Sequence, residues 1–579
     1  MNIMLLTSNY YTNNVCVPTK PCRRFTGFLC FWTILCYFIF WLYWHENTYQ
    51  HLTLNNKVIE TRELLSSNLQ VPSKSPAEDP HSSVTYPMTN FNLTFKKNQL
   101  VIDLQSKSAS ERESVADLEK QLPNIPLIYL YDNKNKNYVY KNKTCGKLPT
   151  IYDIHFNNIY WQETLTSNGT FYLYGAYLDI RRTNRLGPTI RILGMIDRLE
   201  PKVKTYCLMW FDKDKEPVVS KVVEYKYIWF KKWGNYKPGI FQPYLLACQL
   251  PKSHWQETPI SVSIVEKICD TASNNLKVIY NKEEKKKDFA VCVKGLDFPT
   301  DDLSVRMVEW IELLSLLGAD KIFLYELEIH PNVKKVLEHY VKKGMVDLTP
   351  ISLPGHQPNM KLLQHLYLKS KTNNKRQNEL IPYNDCLYRN IYRYKYIALL
   401  DIDEVILPKT QPSWSKLMQN VERVSLKVKN ESRASYNFRN VYFMDEMLTA
   451  HLDSNDPINL SDVPEYMHML RHVYRSANYT KPGQYVKCFH NTDKALILHN
   501  HFPLGCLGGQ CTSYSVDTSL AHLQHYRPDC VKALKKSCDK EYKSMSVKDT
   551  TIWKYKQQLI DRSTETLSAL GFLKTEDQW

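Results

Sequence analysis

Between Asp288 and Pro408 the chain alternates short apolar runs with amphipathic ones, and this alternation restricts the fold more than any other feature. DFAVCVKGL reads as a buried strand ending at Gly295. SVRMVEWIELLSLLG reads as an amphipathic helix closed by Gly318, KIFLYEL as a second strand, PNVKKVLEHYVKKG as a helix from Pro331 to Gly344, and MVDLTPI as a third strand. Proline suits the first turn of a helix, where its missing N–H would have no partner, and glycine suits the left-handed residue that ends one. A further amphipathic stretch through Asn384–Arg393 leads into a fourth strand, YIALL. Strands that alternate with helices pair in parallel and are covered on both faces, so the expected class is α/β with a mainly parallel sheet. Sheets of this kind take ligands beyond the carboxyl ends of their strands.

YIALL runs directly into Asp401-Ile402-Asp403-Glu404. In an extended segment residues two apart project to one side, so Asp401 and Asp403 are expected to present their carboxylates together. Paired hard oxygens suit Mn²⁺ or Mg²⁺ better than zinc. Such an ion would bridge a diphosphate and neutralise the charge that develops as it leaves. A D-x-D triplet elsewhere is commonly a solvated turn, and the position at the end of a buried strand is what gives this one weight. Glu404 either supports the pair or faces solvent.

The C-terminal third supplies further candidates. LHNHFPLG carries His499 and His501, and LQHYRPDC carries His525 and Arg527. A neutral imidazole can complete a coordination sphere or hydrogen-bond a phosphate. His501 is preferred over His499 as the third ligand, because the two would alternate across a strand. Lys487 and Arg527 are candidates for phosphate oxygens. Asn384 and Asp385 are candidates for contacting the ligand from the helix that precedes the metal strand, with a helix cap as the competing role. Asp445, Glu446 and Glu465 follow the D-x-D at a distance suited to a general base.

The first part of the chain decides the compartment. Phe25–Trp44 holds twenty residues without a charge, long enough at about 1.5 Å per residue to cross a hydrocarbon core of roughly 30 Å. Lys20, Arg23 and Arg24 precede it with no acid, so residues 1–24 are expected to be cytosolic and the remainder lumenal. Six sequons follow, at Asn92, Asn142, Asn168, Asn430, Asn459 and Asn478. Of 15 cysteines, Cys16, Cys22, Cys30 and Cys36 lie in the tail or span; the odd number beyond leaves at least one unpaired in an oxidising compartment. Cys506 with Cys511 and Cys530 with Cys538 are the short-range pairs. Residues 45–125, broken by Pro72, Pro76, Pro80 and Pro87, read as a stem with one helical piece around 108–122. Residues 126–280 read as an antiparallel β-rich accessory domain of the sandwich type, whose aromatic residues either pack its strands or form a carbohydrate platform. The formal charge of +16 carries no zinc-finger spacing, basic zipper or RNA-recognition signature, so nucleic acid is not an expected partner.

As a set and in order, DFAVCVKGL, NDCLYR (384–389), LLDIDEVILP, LHNHFPLG and HYRPDC resemble glycosyltransferase family 92, first catalogued as domain of unknown function 23, over roughly 285–535. The resemblance implies a GT-A-like nucleotide-sugar fold over 288–560 and a single-pass type II Golgi membrane protein with a lumenal catalytic domain. It further implies β-1,4-galactosyl transfer from UDP-galactose to a glycan acceptor on a glycoprotein or glycolipid. The family's D-x-D falls on Asp401 and Asp403, and its histidines on His499, His501 and His525. A membrane-anchored lectin with an inactive transferase domain is the competing expectation; intact Asp401 and Asp403 stand against it.

Overall fold

A computed structural model describes residues 110–134, 146–230, 233–234, 240–452, 459–531 and 534–573. The expected tail and membrane span, and most of the expected stem, lie outside the described residues. The described end of the stem is helical over 110–121, where a helical piece was expected. Among the described residues no helix is long and apolar enough to cross a membrane. The rest forms one compact unit within Phe95–Trp579.

Its first part is a β-barrel. The strands are β1 (Phe156–Asn158), β2 (Trp161–Thr166), β3 (Gly169–Asp179), β4 (Thr189–Ile196), β5 (Tyr206–Trp210), β6 (Val218–Tyr227), β7 (Gln242–Gln249), β8 (Ser261–Val265) and β9 (Leu276–Ile279). They follow the order β1-β2-β3-β4-β7-β6-β5-β8-β9, and β9 pairs back onto β3 in parallel, Ala176 opposite Val278. The expected sandwich is therefore a closed barrel. Closure needs β3 to bend, and its register slips between Leu173 and Gly175. At Gly194 a Cβ would stand 2.5 Å from the Tyr172 carbonyl oxygen, so the paired strand also needs glycine there. The slip also divides the aromatic run of β3. Phe171, Leu173, Ala176 and Leu178 fill the barrel with Ile190, Ile192 and Leu246. Tyr172, Tyr174 and Tyr177 point outward into a second core shared with the α/β part. This aromatic stripe is packing between two halves, not a carbohydrate platform.

The α/β part follows the sequence pattern. β10 (Lys287–Phe298), β11 (Lys321–Ile329), β12 (Val346–Pro350) and β13 (Tyr394–Leu399) are parallel neighbours. The helices Ser304–Leu317 and Pro331–Lys342 join the first three, and Gly318 and Gly344 take the left-handed conformation just beyond them, φ 96° and 76°. β14 (Glu404–Pro408), β15 (Ser435–Phe438), β16 (Asn440–Met444), β17 (Tyr474–Ser476), β18 (Lys487–Asn491), β19 (Ala495–Leu498), β20 (Pro503–Cys506), β21 (Ser513–Ser515) and β22 (Ala521–Arg527) complete the site-bearing half. The main sheet runs β12-β11-β10-β13-β18-β15-β21, and β18 is antiparallel to β13. A smaller sheet, β14-β22-β16, stands apart. Phe289, Val291, Trp310, Leu314, Leu324 and Phe489 are among the buried residues between the main sheet and the helices on one face, each worth about 1.5–3 kcal/mol of transfer free energy.

Disulfides Cys207–Cys248, Cys292–Cys386, Cys506–Cys511 and Cys530–Cys538 cross-link the two halves internally. Both short-range pairs are as expected, and Cys488 is the buried free thiol.

Candidate functional site

The chain leaves one sheet and enters the other at Leu400–Asp403. Asp401–Asp403 is accordingly a turn, closed by the Glu404 N–H on the Asp401 carbonyl at 3.0 Å, and not the extended segment expected. The turn is fixed from both sides. The Tyr526 N–H donates to the Asp403 carbonyl at 2.9 Å, and Trp310 Nε1 donates to the Glu404 carbonyl at 2.9 Å.

Because the backbone turns, the two aspartates meet different neighbours. Asp401 lies between two ammonium groups, Lys294 Nζ at 3.0 Å and Lys487 Nζ at 3.2 Å. Burial alone would raise its pKa, but Lys294 and Lys487 hold it far below the usual carboxylate range. Both lysines are correspondingly raised by Asp401 against the effect of burial. Asp403 keeps 46% of its side chain exposed and has His525 Nε2 at 3.3 Å. His525 Nδ1 stands 3.3 Å from Glu404 Oε1, and Glu404 is buried and bound to Lys487 at 3.0 Å. β14 pairs with β22 in the register that sets Glu404 opposite His525. Burial raises Glu404 despite Lys487 beside it.

Asp401 and Asp403 line a cavity of about 330 Å³ at the carboxyl ends of β10 and β13. Leu296, Phe298, Met307 and Met469 give it apolar walls; Lys294, Arg306, Lys375 and His468 give it positive and imidazole groups. A wider cleft of about 630 Å³ lies across Lys294 and Lys375, which line both. His499 and His501 are in the β19–β20 loop and line this second cleft with Tyr383, Asn500 and Arg376. Their rings are 6.2 Å apart on the same side, because the segment is a loop; the strand alternation used to choose between them does not apply. Among the described residues neither makes an ion pair with Asp401 or Asp403. His501 Nδ1 is bonded to the Val486 carbonyl at 3.0 Å, and burial depresses its pKa to about 4 and that of His499 to about 3. His525 alone of the three stands against the aspartates.

Three other candidates are committed elsewhere. Asp385 is wholly buried, accepting hydrogen bonds from Tyr177, from Tyr325 at 2.6 Å and from Arg389 Nε at 2.8 Å. Asn384 bridges the helix Leu380–Asn390 to β19 through the Leu498 N–H and carbonyl, at 2.8 and 3.0 Å. Both are structural and neither faces the cavity. Lys487, with 0% of its side chain exposed, is spent on Asp401, Glu404 and Asn500, so it orders the carboxylates and is not presented to a phosphate. Arg527 is partly exposed at the end of β22, adjoining the cavity residues Tyr526 and Pro528.

Of the three carboxylates suggested as a base, Asp445 adjoins the site. It accepts from His472 Nε2 at 3.0 Å, which lowers its pKa, and clusters with His468 of the cavity wall. Glu446 pairs with Lys543 on the surface, and Glu465 is exposed away from the cavity lining. Sequence reading passed over Lys294, Arg306, Lys375, His468 and His472. Lys294 was visible as the charge that interrupts the apolar run Phe289–Leu296, and His468 and His472 as an i, i+4 pair.

Residues 287–563 match glycosyltransferase family 92. A β-1,4-galactosyltransferase of Caenorhabditis elegans is 27% identical over 180 residues, 29% of this chain and 38% of that protein's length. The stretch it shares is thus well under half of the relative. Through residues 287–563, the half built around the aspartate turn, the chain belongs to glycosyltransferase family 92.

Proposed function

We propose that the protein is a metal-dependent hexosyltransferase that moves galactose from UDP-galactose onto a glycan acceptor, from the lumenal side of the Golgi membrane. The observation that carries this is the Asp401–Asp403 turn with His525, set at the carboxyl ends of parallel strands and opening into the 330 Å³ cavity. Parallel β10, β11, β12 and β13 with antiparallel β18 beside the aspartate strand support a GT-A-like reading. The uncharged segment 25–44 supports a type II anchor, and the disulfides support an oxidising compartment.

The residues fit a divalent cation. Asp403 Oδ2 and His525 Nε2, 3.3 Å apart, are close enough to share one ion, and Glu404 Oε1 and the Asn440 amide each stand 3.3 Å from the other ring nitrogen and orient it. An oxygen and an imidazole nitrogen suit Mn²⁺. When bound, the ion would neutralise the departing diphosphate. Lys294 and Arg306 add positive charge along the same wall, and Lys487 keeps Asp401 and Glu404 in place. The acceptor hydroxyl attacks the anomeric carbon opposite the nucleotide and inverts it as a base takes its proton; Asp445, bound to His472 and adjoining the aspartate cavity through His468, stands on the donor side. The galactose preference rests on the C. elegans relative, since one hydroxyl's orientation is read by few hydrogen bonds.

The full-length protein in detergent, given UDP-galactose, UDP-glucose, UDP-N-acetylglucosamine, UDP-N-acetylgalactosamine or GDP-fucose with Mn²⁺ and a glycan array, tests this. Turnover of UDP-galactose at least tenfold above the others is expected. Preference for another donor would refute the sugar, and glycan binding with no turnover would favour the lectin reading.

A further inference from the structure

Two tryptophans of the barrel half reach the transferase half. The chain after β6 carries Trp229 and Trp233, whose rings meet at 5.1 Å. Both pack on His499, at 5.7 and 4.6 Å between ring centroids, and Trp233 also reaches Phe502 at 6.1 Å. Together they form an aromatic wall of the 630 Å³ cleft. Trp229 is nearly buried, whereas Trp233 keeps 39% of its surface exposed. A fully satisfied core contact would not leave the outer of the two indoles open over a cleft.

The remaining surface is polar. Thr372, Lys375, Arg376 and Glu379 form one side, with Tyr383 and Asn500 beneath. Asn500 Oδ1 accepts from Tyr383 at 3.2 Å and from Lys487 at 2.5 Å, and Lys487 holds Asp401. The cleft is therefore continuous with the aspartate site through Lys294, Lys375 and Asn500 while lying across Lys294 from the smaller cavity. It has nearly twice that cavity's volume. An aromatic face above hydrogen-bonding and charged groups matches a pyranose, whose C–H face is apolar and whose rim is hydroxylated.

We infer that this cleft is the acceptor subsite: the barrel supplies Trp233 as the platform on which the acceptor's sugar ring stacks, with Trp229 and His499 holding that platform. This rests on the transferase reading above and adds to it a role for the accessory domain. Arg376 and Glu379 then take the acceptor's hydroxyls, and the donor stays on the aspartate side of Lys294.

Steady-state kinetics of full-length Trp233→Ala, Trp233→Phe and wild type separate the outcomes, with UDP-sugar hydrolysis measured in the absence of acceptor. Trp233→Ala should raise acceptor KM about tenfold and leave donor KM and donor hydrolysis unchanged, with Trp233→Phe restoring most of the loss. A rise in donor KM instead would make the wall part of the donor site and overturn the assignment. Unchanged constants in a normally melting variant would reduce Trp233 to packing and overturn it as well. A wild type without turnover on any donor would sink the transferase reading itself, a result distinct from either.

Discussion

Asp401 and Asp403 are two residues apart, yet replacing each should do different things. Asp403 is half exposed and its neighbour is an imidazole, so Asp403→Asn should fold, melt normally and lose at least about a hundredfold in kcat, the scale of one electrostatic contact in a transition state. Asp401 neutralises Lys294 and the fully buried Lys487. Asp401→Asn leaves those cations short of a partner and should cost about 3 kcal/mol or more of stability in addition to activity. Thermal melting alongside kinetics checks the contrast, and equal melting of the two variants would remove the distinction. At this scale the sequence showed which residue types carry the chemistry but not their surroundings. Asp401 and Asp403 were legible because a carboxylate at a strand end is an anomaly in an apolar run, and His525 because imidazoles cluster in the C-terminal third. The pairing of Asp401 with Lys294 and Lys487 was not legible, because both lysines reach the turn from segments distant in sequence. His499 and His501 were misplaced for a local reason: spacing of two was read as a strand where the chain makes a loop.

Among the elements, the helix Leu380–Asn390 does the most to join the two halves. Asp385 gathers Tyr177 of the barrel, Tyr325 of β11 and its own helix's Arg389 around one buried carboxylate. Cys386 ties the same helix to Cys292 of β10. Asp385→Asn would leave Arg389 as a largely buried charge without its counterion, so a loss of about 3–5 kcal/mol is expected. Because Asp385 does not face the cavity, surviving enzyme should keep the wild-type donor KM. A raised donor KM with unchanged melting would return Asp385 to the binding role its position suggested. Strands β10 to β13 and their two helices could be read from the sequence because period and end residues agree: Gly318 and Gly344 sit where a left-handed residue must follow a helix. The barrel's closure could not be read, since it depends on β9 returning to β3 over about a hundred residues and on a register slip within β3. Burial of β3 on both faces also erased the alternation by which a half-exposed strand is recognised.

Over the whole molecule, acid should weaken the fold well before carboxylates are protonated. Burial depresses His468, His490 and His522 to about 3, as it does His499, while His501 falls to about 4. The unfolded chain takes up protons at these positions near pH 6.5, whereas the folded chain refuses them. Their contribution is therefore complete above about pH 6.5 and is lost as pH falls. Each can supply a slope of up to about 1.4 kcal/mol per pH unit. Glu309 works in the opposite direction: burial raises it to about 7, so its contribution is present below its ordinary value and is lost as pH rises through 7. Glu404, also raised by burial, acts in the same direction, and two such carboxyls offset at most two of the five histidines, so net destabilisation on acidification wins. His490 isolates the effect, being fully buried in β18, with neither ring nitrogen hydrogen-bonded among the described residues, and removed from the cavity lining. His490→Leu should melt at the same or a higher temperature at pH 7.5, because a buried unpaired N–H costs about 1–3 kcal/mol. Between pH 6.5 and 5.5 the variant should lose stability less steeply than wild type, by one proton's share of the slope. Parallel melting curves for the two proteins over that range, or a wild type that gains stability on acidification, would show that the buried histidines do not govern its acid limb.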